Sequence, residues 1–325
     1  MSIALSDLKI YGSASMPDDD TPTQIGGAID TQRKPLFYDV GAAIQCVSSA
    51  GGDTTQTVTL HYRDSAGNKQ SEAKTLSGQT PVAFTATPER LLKAIKSATC
   101  AGDVAVEAAT AERAGTAQAG TGITITLDAG ASASNDFYNG MVIRLTSGTG
   151  NGQIREIIAY DGTTKVATAG SQWGTTPDAT SVFRIAKGMV FDKSPAEILE
   201  CRRVFYDSGA NPAGGATKEY HEKWFLKNTH ATLSLTTAVV KEIADPSGLI
   251  TFMLAASVDD SGTNGSGNNR LVAPSGTFDN SNKSVPGGGS LAAGSAIGVW
   301  GKLTLAGGAA AQKTTYTPQL EGNTT

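Results

Sequence analysis

Ile154-Arg155-Glu156-Ile157-Ile158-Ala159-Tyr160-Asp161-Gly162-Thr163-Thr164-Lys165-Val166-Ala167-Thr168 reads as two short extended runs joined by a turn. Asp-Gly between apolar runs is a strong hairpin signal, because both residues accept the positive φ that a tight turn demands. Upstream, Met141 to Leu145 precedes a second turn, Gly148-Thr149-Gly150-Asn151-Gly152. Further upstream, Ile123, Ile125 and Leu127 alternate with Thr124 and Thr126, the period of a strand with one buried face. Val182 to Ile185 adds a fifth run. Five short strands in about 60 residues predict a small barrel-like unit that hides its sheet edges.

The same texture extends outward. Val58, Leu60 and Tyr62 alternate with Thr57, Thr59 and His61, and Asp64-Ser65-Ala66-Gly67-Asn68 turns the chain back into Ser71 to Leu76. Pro88 to Lys96 fits either a helix, through Leu91, Leu92 and Ile95, or a strand, and its neighbours favour the strand. Val104 and Val106 follow another turn, and Thr110 to Gly122, rich in Ala, Gly and Thr, reads as a linker. Ser194-Pro195-Ala196-Glu197 has the form of a capping box and predicts a short connecting helix. Strands resume from Trp224 through Leu233 and Leu235, again at Ile250 to Leu254, and finally at Ile297 to Leu305 and Tyr316 to Leu320. A long Gly/Ser/Asn loop occupies Asp259 to Ser290.

These readings give an all-β chain of Ig-like β-sandwich units with an inserted small β-barrel-like domain and an extended N-terminal arm. The expected segments are an arm over 1–31, a sandwich unit over 32–117, the barrel over 118–187 and a second sandwich unit over 188–325. The arm is inferred from Met16-Pro17-Asp18-Asp19-Asp20-Thr21-Pro22 and Gly26-Gly27, where Pro forbids ladder donation and Gly is costly to order.

Composition excludes whole classes of function. Of 325 residues 17% are charged and the net charge is -4, which offers no electrostatic footprint for nucleic acid. No apolar run approaches the roughly 20 residues of a membrane-spanning helix, and the first residues lack the pattern of a signal peptide. Cys46, Cys100 and Cys201 are widely spaced and read as buried thiols in a reducing compartment.

No catalytic, cofactor-binding or metal-ligating residue is assigned. His61, His221 and His230 are isolated, G-x-S-x-G does not occur, and His221-Glu222 is followed by Phe225 where a zinc-protease motif needs a second His. Gly148 to Gly152 leads into a strand, and Gly301-Lys302 lacks the upstream Gly of a phosphate-binding loop. Asp18 to Asp20 and Asp259-Asp260 offer oxygen ligands, but without the spacing of a calcium loop. Trp173, in the Gly170 to Gly174 turn, fits either an exposed sugar platform or a barrel plug, whereas Trp224 and Trp300 read as core.

Gly140-Met141-Val142-Ile143-Arg144-Leu145-Thr146-Ser147-Gly148-Thr149-Gly150-Asn151-Gly152-Gln153 and the text from Ile157 to Thr168, with Trp173, Pro177 to Ser181 and Phe183 to Ile185, resemble a small β module that recurs in virion proteins of tailed bacteriophages. Lys9 to Ser13 with Met16-Pro17 and Gly26 to Asp30, and Leu291 to Trp300, are similar to the flanks of such proteins. The resemblance implies a non-enzymatic structural subunit on the particle exterior, as head decoration, collar or tail accessory, assembled in the bacterial cytoplasm. Its partners would be capsid, neck or tail subunits and further copies of itself, with no cofactor, nucleic acid or membrane. A receptor- or carbohydrate-binding tail module, with Trp173 and the Asp259 to Ser290 loop facing ligand, is the second expectation. A wall-degrading hydrolase, which needs paired carboxylates in a cleft, is the third.

Overall fold

A computed structural model of the chain describes residues 2–17, 22–36, 40–41, 43–205, 208–265, 269–311 and 316–324. It is all-β: among the described residues the only helical element is a 3-10 turn at Leu5–Asp7. The chain divides into two compact units, Met1–Tyr38 with Arg202–Thr325, and Asp39–Cys201.

The chain starts in the discontinuous unit with β1 (Leu8–Ser15), β2 (Gly26–Asp30) and β3 (Arg33–Leu36). It crosses to the second unit for β4 (Ile44–Ser48), β5 (Thr57–Arg63), β6 (Lys69–Thr75), β7 (Val82–Ala83), β8 (Arg90–Lys96) and β9 (Val104–Ala108). Next come β10 (Arg113–Thr116), β11 (Ala119–Gly120), β12 (Thr124–Thr126), β13 (Val142–Ser147), β14 (Ile154–Asp161), β15 (Val166–Ala169) and β16 (Val182–Ala186). After β17 (Gly188–Phe191), the chain returns through β18 (Glu200–Arg203). The first unit is completed by β19 (Lys218–Asn228), β20 (Leu235–Ala244), β21 (Ile250–Val258), β22 (Lys283–Ser284), β23 (Ala296–Leu305) and β24 (Thr317–Thr324).

In the second unit the seven strands β10 to β16 form one sheet ordered β10-β16-β13-β14-β15-β12-β11. Its two outermost strands are separated in sequence only by Ala117 and Gln118. Ala117 N–H donates to Ser181 O (2.8 Å), beside β16, and Gln118 N–H donates to Thr126 O (2.9 Å) on β12. The stretch expected to be a linker therefore draws the two sides of the sheet together. Ala, Gly and Thr are too small to mark a buried period, so this strand text is silent. Trp173 is 5% exposed and packs with Ile143, Phe183, Ile185 and Tyr160, filling the interior. Gly148 (φ +73°) is obligatory: a Cβ there would overlap the Thr180 carbonyl.

Two further sheets complete this unit, one ordered β17-β9-β4-β7 and one running β8-β5-β6 with β18 beside β8. The β5–β6 hairpin pairs Thr57 with Thr75 through Arg63 with Lys69, and Gly67 (φ +84°) makes its turn. Pro88 to Lys96 yields a strand, β8. The barrel-like sheet is joined to the β4–β9–β17 sheet through the buried cluster Val47, Ala105, Val142, Ile154 and Val190.

No helix forms at Ser194 to Glu197, where the Ser194–Pro195 peptide is cis. The Glu197 carboxylate that would have closed a capping box instead accepts from Lys96 Nζ (2.5 Å) and Cys100 N–H (2.8 Å), tying its own loop to the end of β8 and to the loop that follows β8.

The first unit builds a five-stranded sheet, β2-β1-β19-β23-β21, and a three-stranded sheet, β22-β20-β24. Tyr220, Trp224, Phe252, Val299 and Leu303 from the larger sheet share one core with Leu235, Val240 and Leu320 from the smaller. The segment expected as an arm supplies β1 and β2. Leu8 to Gly12 pair with Asn228 to Trp224, and β1 lies inside the sheet, its Leu8 and Ile10 packed on the core. Residues 18–21 of the expected arm lie outside the described residues. The strand expected to run on from Trp224 to Leu235 breaks after Asn228. There His230 Nδ1 accepts from Thr232 N–H (3.1 Å) and Leu233 N–H (3.0 Å), making a turn before β20.

Candidate functional site

A cleft of about 890 Å³ in the first unit lies against the outer strand β21. Met253, Leu254 and Trp300 make its floor, and residues 260–265 and 273–277 of the Asp259 to Ser290 loop make its walls. Gly26 (φ +96°) closes over the Trp300 ring, where a Cβ would collide with the indole.

Each ionisable group in the lining already has a partner. Asp260 Oδ2 accepts from Lys223 Nζ at 2.5 Å, and Lys283 Nζ donates to Asp279 Oδ1 at 2.6 Å. The Lys223 ammonium is wholly buried, also donates to Gly27 O (3.0 Å) and Gly262 O (2.9 Å), and lies over the rings of Phe225 and Trp300. Burial pulls its pKa below the ordinary lysine value, and the Asp260 carboxylate opposes that shift. Asp260 thus fastens the 260–262 turn to the sheet. What the cleft offers a ligand is neutral: hydroxyls of Thr263, Ser275, Thr277 and Ser284 above an apolar floor.

The second unit has a polar cleft of about 570 Å³ that includes Asp103, Arg155 and Lys193. Arg155 Nη1 donates to Asp103 Oδ2 (2.7 Å), its Nε and Nη2 donate to Gln172 O, and its guanidinium stacks on Trp173. Nearby, the fully buried Glu107 Oε1 accepts from Gln45 Nε2 (2.8 Å), Arg184 Nε (3.2 Å) and Arg144 Nη2 (3.3 Å). These charges join the barrel-like sheet to the strand β9.

The residues singled out in the sequence do not converge on one site. Trp173 is inside the barrel and cannot serve as an exposed platform. Asp260 lines the cleft, while Asp259 Oδ1 accepts from Ala296 N–H (2.8 Å) and makes a structural turn. Among the described residues no group of three or more His, Cys, Asp and Glu side chains could hold a metal ion. Cys46, Cys100 and Cys201 are buried and form no disulfide with one another. Trp224 and Trp300 are core residues.

His221, set aside in the sequence because no second His follows at 225, is fully buried, as are Glu222 and Lys223. The first half of β19, Lys218-Glu219-Tyr220-His221-Glu222-Lys223, is almost entirely polar and charged. It is buried because the sheet is covered on both faces, by β20 and β24 on one and by the long loop on the other.

No family model matches the chain, and no curated protein and no solved structure matches it.

Proposed function

We propose that the chain is a non-enzymatic structural subunit of a tailed-phage virion, assembled on the particle exterior through contacts with neighbouring virion proteins and with copies of itself. The observation that carries this reading is where the charged side chains go. Lys96–Glu197, Lys223–Asp260, Arg155–Asp103 and the Glu107 cluster each fasten loop to sheet or sheet to sheet. Such groups stiffen a scaffold, and repetition over many copies makes weak intersubunit contacts sufficient. Because β1 and β2 belong to the sheet, these contacts are assigned to the folded surface and not to a free arm. Imaging of the assembled particle tests the reading through the subunit's position and copy number. Its absence from purified particles overturns it.

A second reading, a receptor- or carbohydrate-binding tail module, is favoured by one observation: the 890 Å³ cleft walled by the 259–290 loop. In that case Trp300, and not Trp173, is the aromatic beside the ligand. Glycan-array binding that is abolished by Thr277→Trp, a substitution that fills the cleft, favours this reading.

A further inference from the structure

The loop segment 269–279 is held to the first unit's large sheet at a buried histidine. Arg270 O accepts the His221 backbone N–H at 2.7 Å, beyond the point where β1 stops pairing with β19. The same oxygen lies 3.1 Å from His221 Nδ1. A carbonyl only accepts, so Nδ1 carries the proton and Nε2 presents a bare lone pair. Nε2 has no partner, and the imidazole is fully buried with the Phe278 ring standing edge-on at 5.4 Å. Phe278 in turn packs on the Ile25, Met253 and Trp300 cluster that underlies the cleft.

The surrounding charges give a second proton no acceptor. Lys302 pairs with His221 across β23 and spends its ammonium on Glu219, at 2.8 Å. Lys223, two residues along the strand, is held by Asp260. On the overlying segment, the Arg270 guanidinium is directed to Glu222 and the Tyr220 ring, and Asp279 is bound by Lys283. On β21, Thr251 opposes Lys302 and carries no charge.

We propose that His221 makes segment 269–279 an acid-released latch, whose lifting uncovers the Met253 and Trp300 floor of the cleft. Protonation at Nε2 puts a cation beneath Phe278 with nothing to receive it; moving the segment away lets water reach the ring. Burial pulls the His221 pKa below its ordinary 6.5 in the closed form, opposed by the Arg270 carbonyl and Glu219 and aided by Lys302. The sign follows from linkage. A depressed pKa stabilises the closed form fully above the open-form value, and that contribution is lost as pH falls below it. The open-to-closed ratio should rise about tenfold per pH unit below about 6.5, until the closed-form pKa is passed.

Hydrogen exchange of amides 270–279, corrected for intrinsic rates, tests the latch on the full chain at about pH 7.5 and about pH 5. The comparison is His221→Asn, whose amide can still donate to Arg270 O but cannot be protonated. The expected result is a loss of protection of tenfold or more in the parent protein at the lower pH, and none in the variant. Equal protection at both pH values, or an equal loss in the variant, overturns the proposal. Should the variant not fold, the His221 ring shifts of the parent protein decide. Titration in step with the loss of protection supports the latch; a ring that stays neutral while protection disappears overturns it.

Discussion

Arg155 is the rivet between the barrel-like sheet and the turn that precedes β9: its Nη1 lies 2.7 Å from Asp103 Oδ2 while the rest of its fork grips Gln172 O. Burial pushes the Asp103 carboxyl above its usual range, with the Lys193 N–H and then Arg155 opposing it. Lys cannot reproduce this two-sided fork. Arg155→Lys should therefore cost about 1.5–3 kcal/mol, the range for hydrogen bonds to charged groups. Urea unfolding of parent and variant measures the loss, and an unchanged midpoint counts against the seam.

Glu107 should be the more sensitive position. Its carboxylate is wholly buried between Arg144 and Arg184, so Glu107→Gln leaves two arginines facing a neutral amide. Removing one partner from a buried ionic group costs about 3–5 kcal/mol. A loss under about 1 kcal/mol in equilibrium unfolding would mean that water already reaches the cluster.

Deleting residues 1–30 should unfold the first unit. The deletion removes both β1 and β2 from beside β19, strips Leu8 and Ile10 from the core and leaves Trp224 to Asn228 unpaired on one side. Buried backbone groups without partners are costly, so the truncated chain should lose protease resistance in the 202–325 region. A stable truncated chain with intact Trp224 fluorescence would contradict the placement of β1.

Glu72 supplies an acid-sensitive tie. Burial raises its carboxyl, but hydrogen bonds from Lys74, from the Thr85 amide and hydroxyl and from the Ala86 amide outweigh this and bring it down to about 2. Because the folded value is depressed, its contribution is complete above pH 4.5 and is lost as pH falls towards 2. The stability difference between parent and Glu72→Gln should therefore shrink over that interval, as followed by denaturant midpoints.

The thiols should be inert in the native chain. Burial pushes Cys46 up to about 12 and Cys100 up to about 11, so neither forms the thiolate near neutrality. Thiol-specific reagent should label them only on unfolding; rapid labelling of the native chain would show that these strands open.

Much of the second unit is legible because large and small residues alternate there and glycine marks the turns. Ile157 and Tyr160 face the barrel interior, Ile154 faces the β4–β9–β17 sheet, and each of the five barrel runs read from the text is a strand. Arg113 to Gly120 escaped because Ala, Gly and Thr carry no hydrophobic period, although they draw the sheet's two sides together. Ser194 to Glu197 misled for a different reason. A capping box is a local preference worth about a kcal/mol, and the buried Lys96 ammonium makes a stronger claim on the Glu197 carboxylate. The cleft was half legible. The Asp259 to Ser290 loop announced itself by composition, but Lys223 and His221 beneath it look in the text like an ordinary wet strand, because burial from above by a distant loop leaves no periodicity to read.

Glu107 on β9 stands opposite Gly188 on β17, so the chain leaves for the barrel-like sheet and comes back at adjacent rungs of one ladder. A module hung from neighbouring points can be excised or exchanged with a joint of only a few residues, leaving the parent ladder in register. The fold thereby carries a ready-made cassette boundary, at which a lineage could gain, lose or trade roughly a quarter of the chain in a single recombination without redesigning the host.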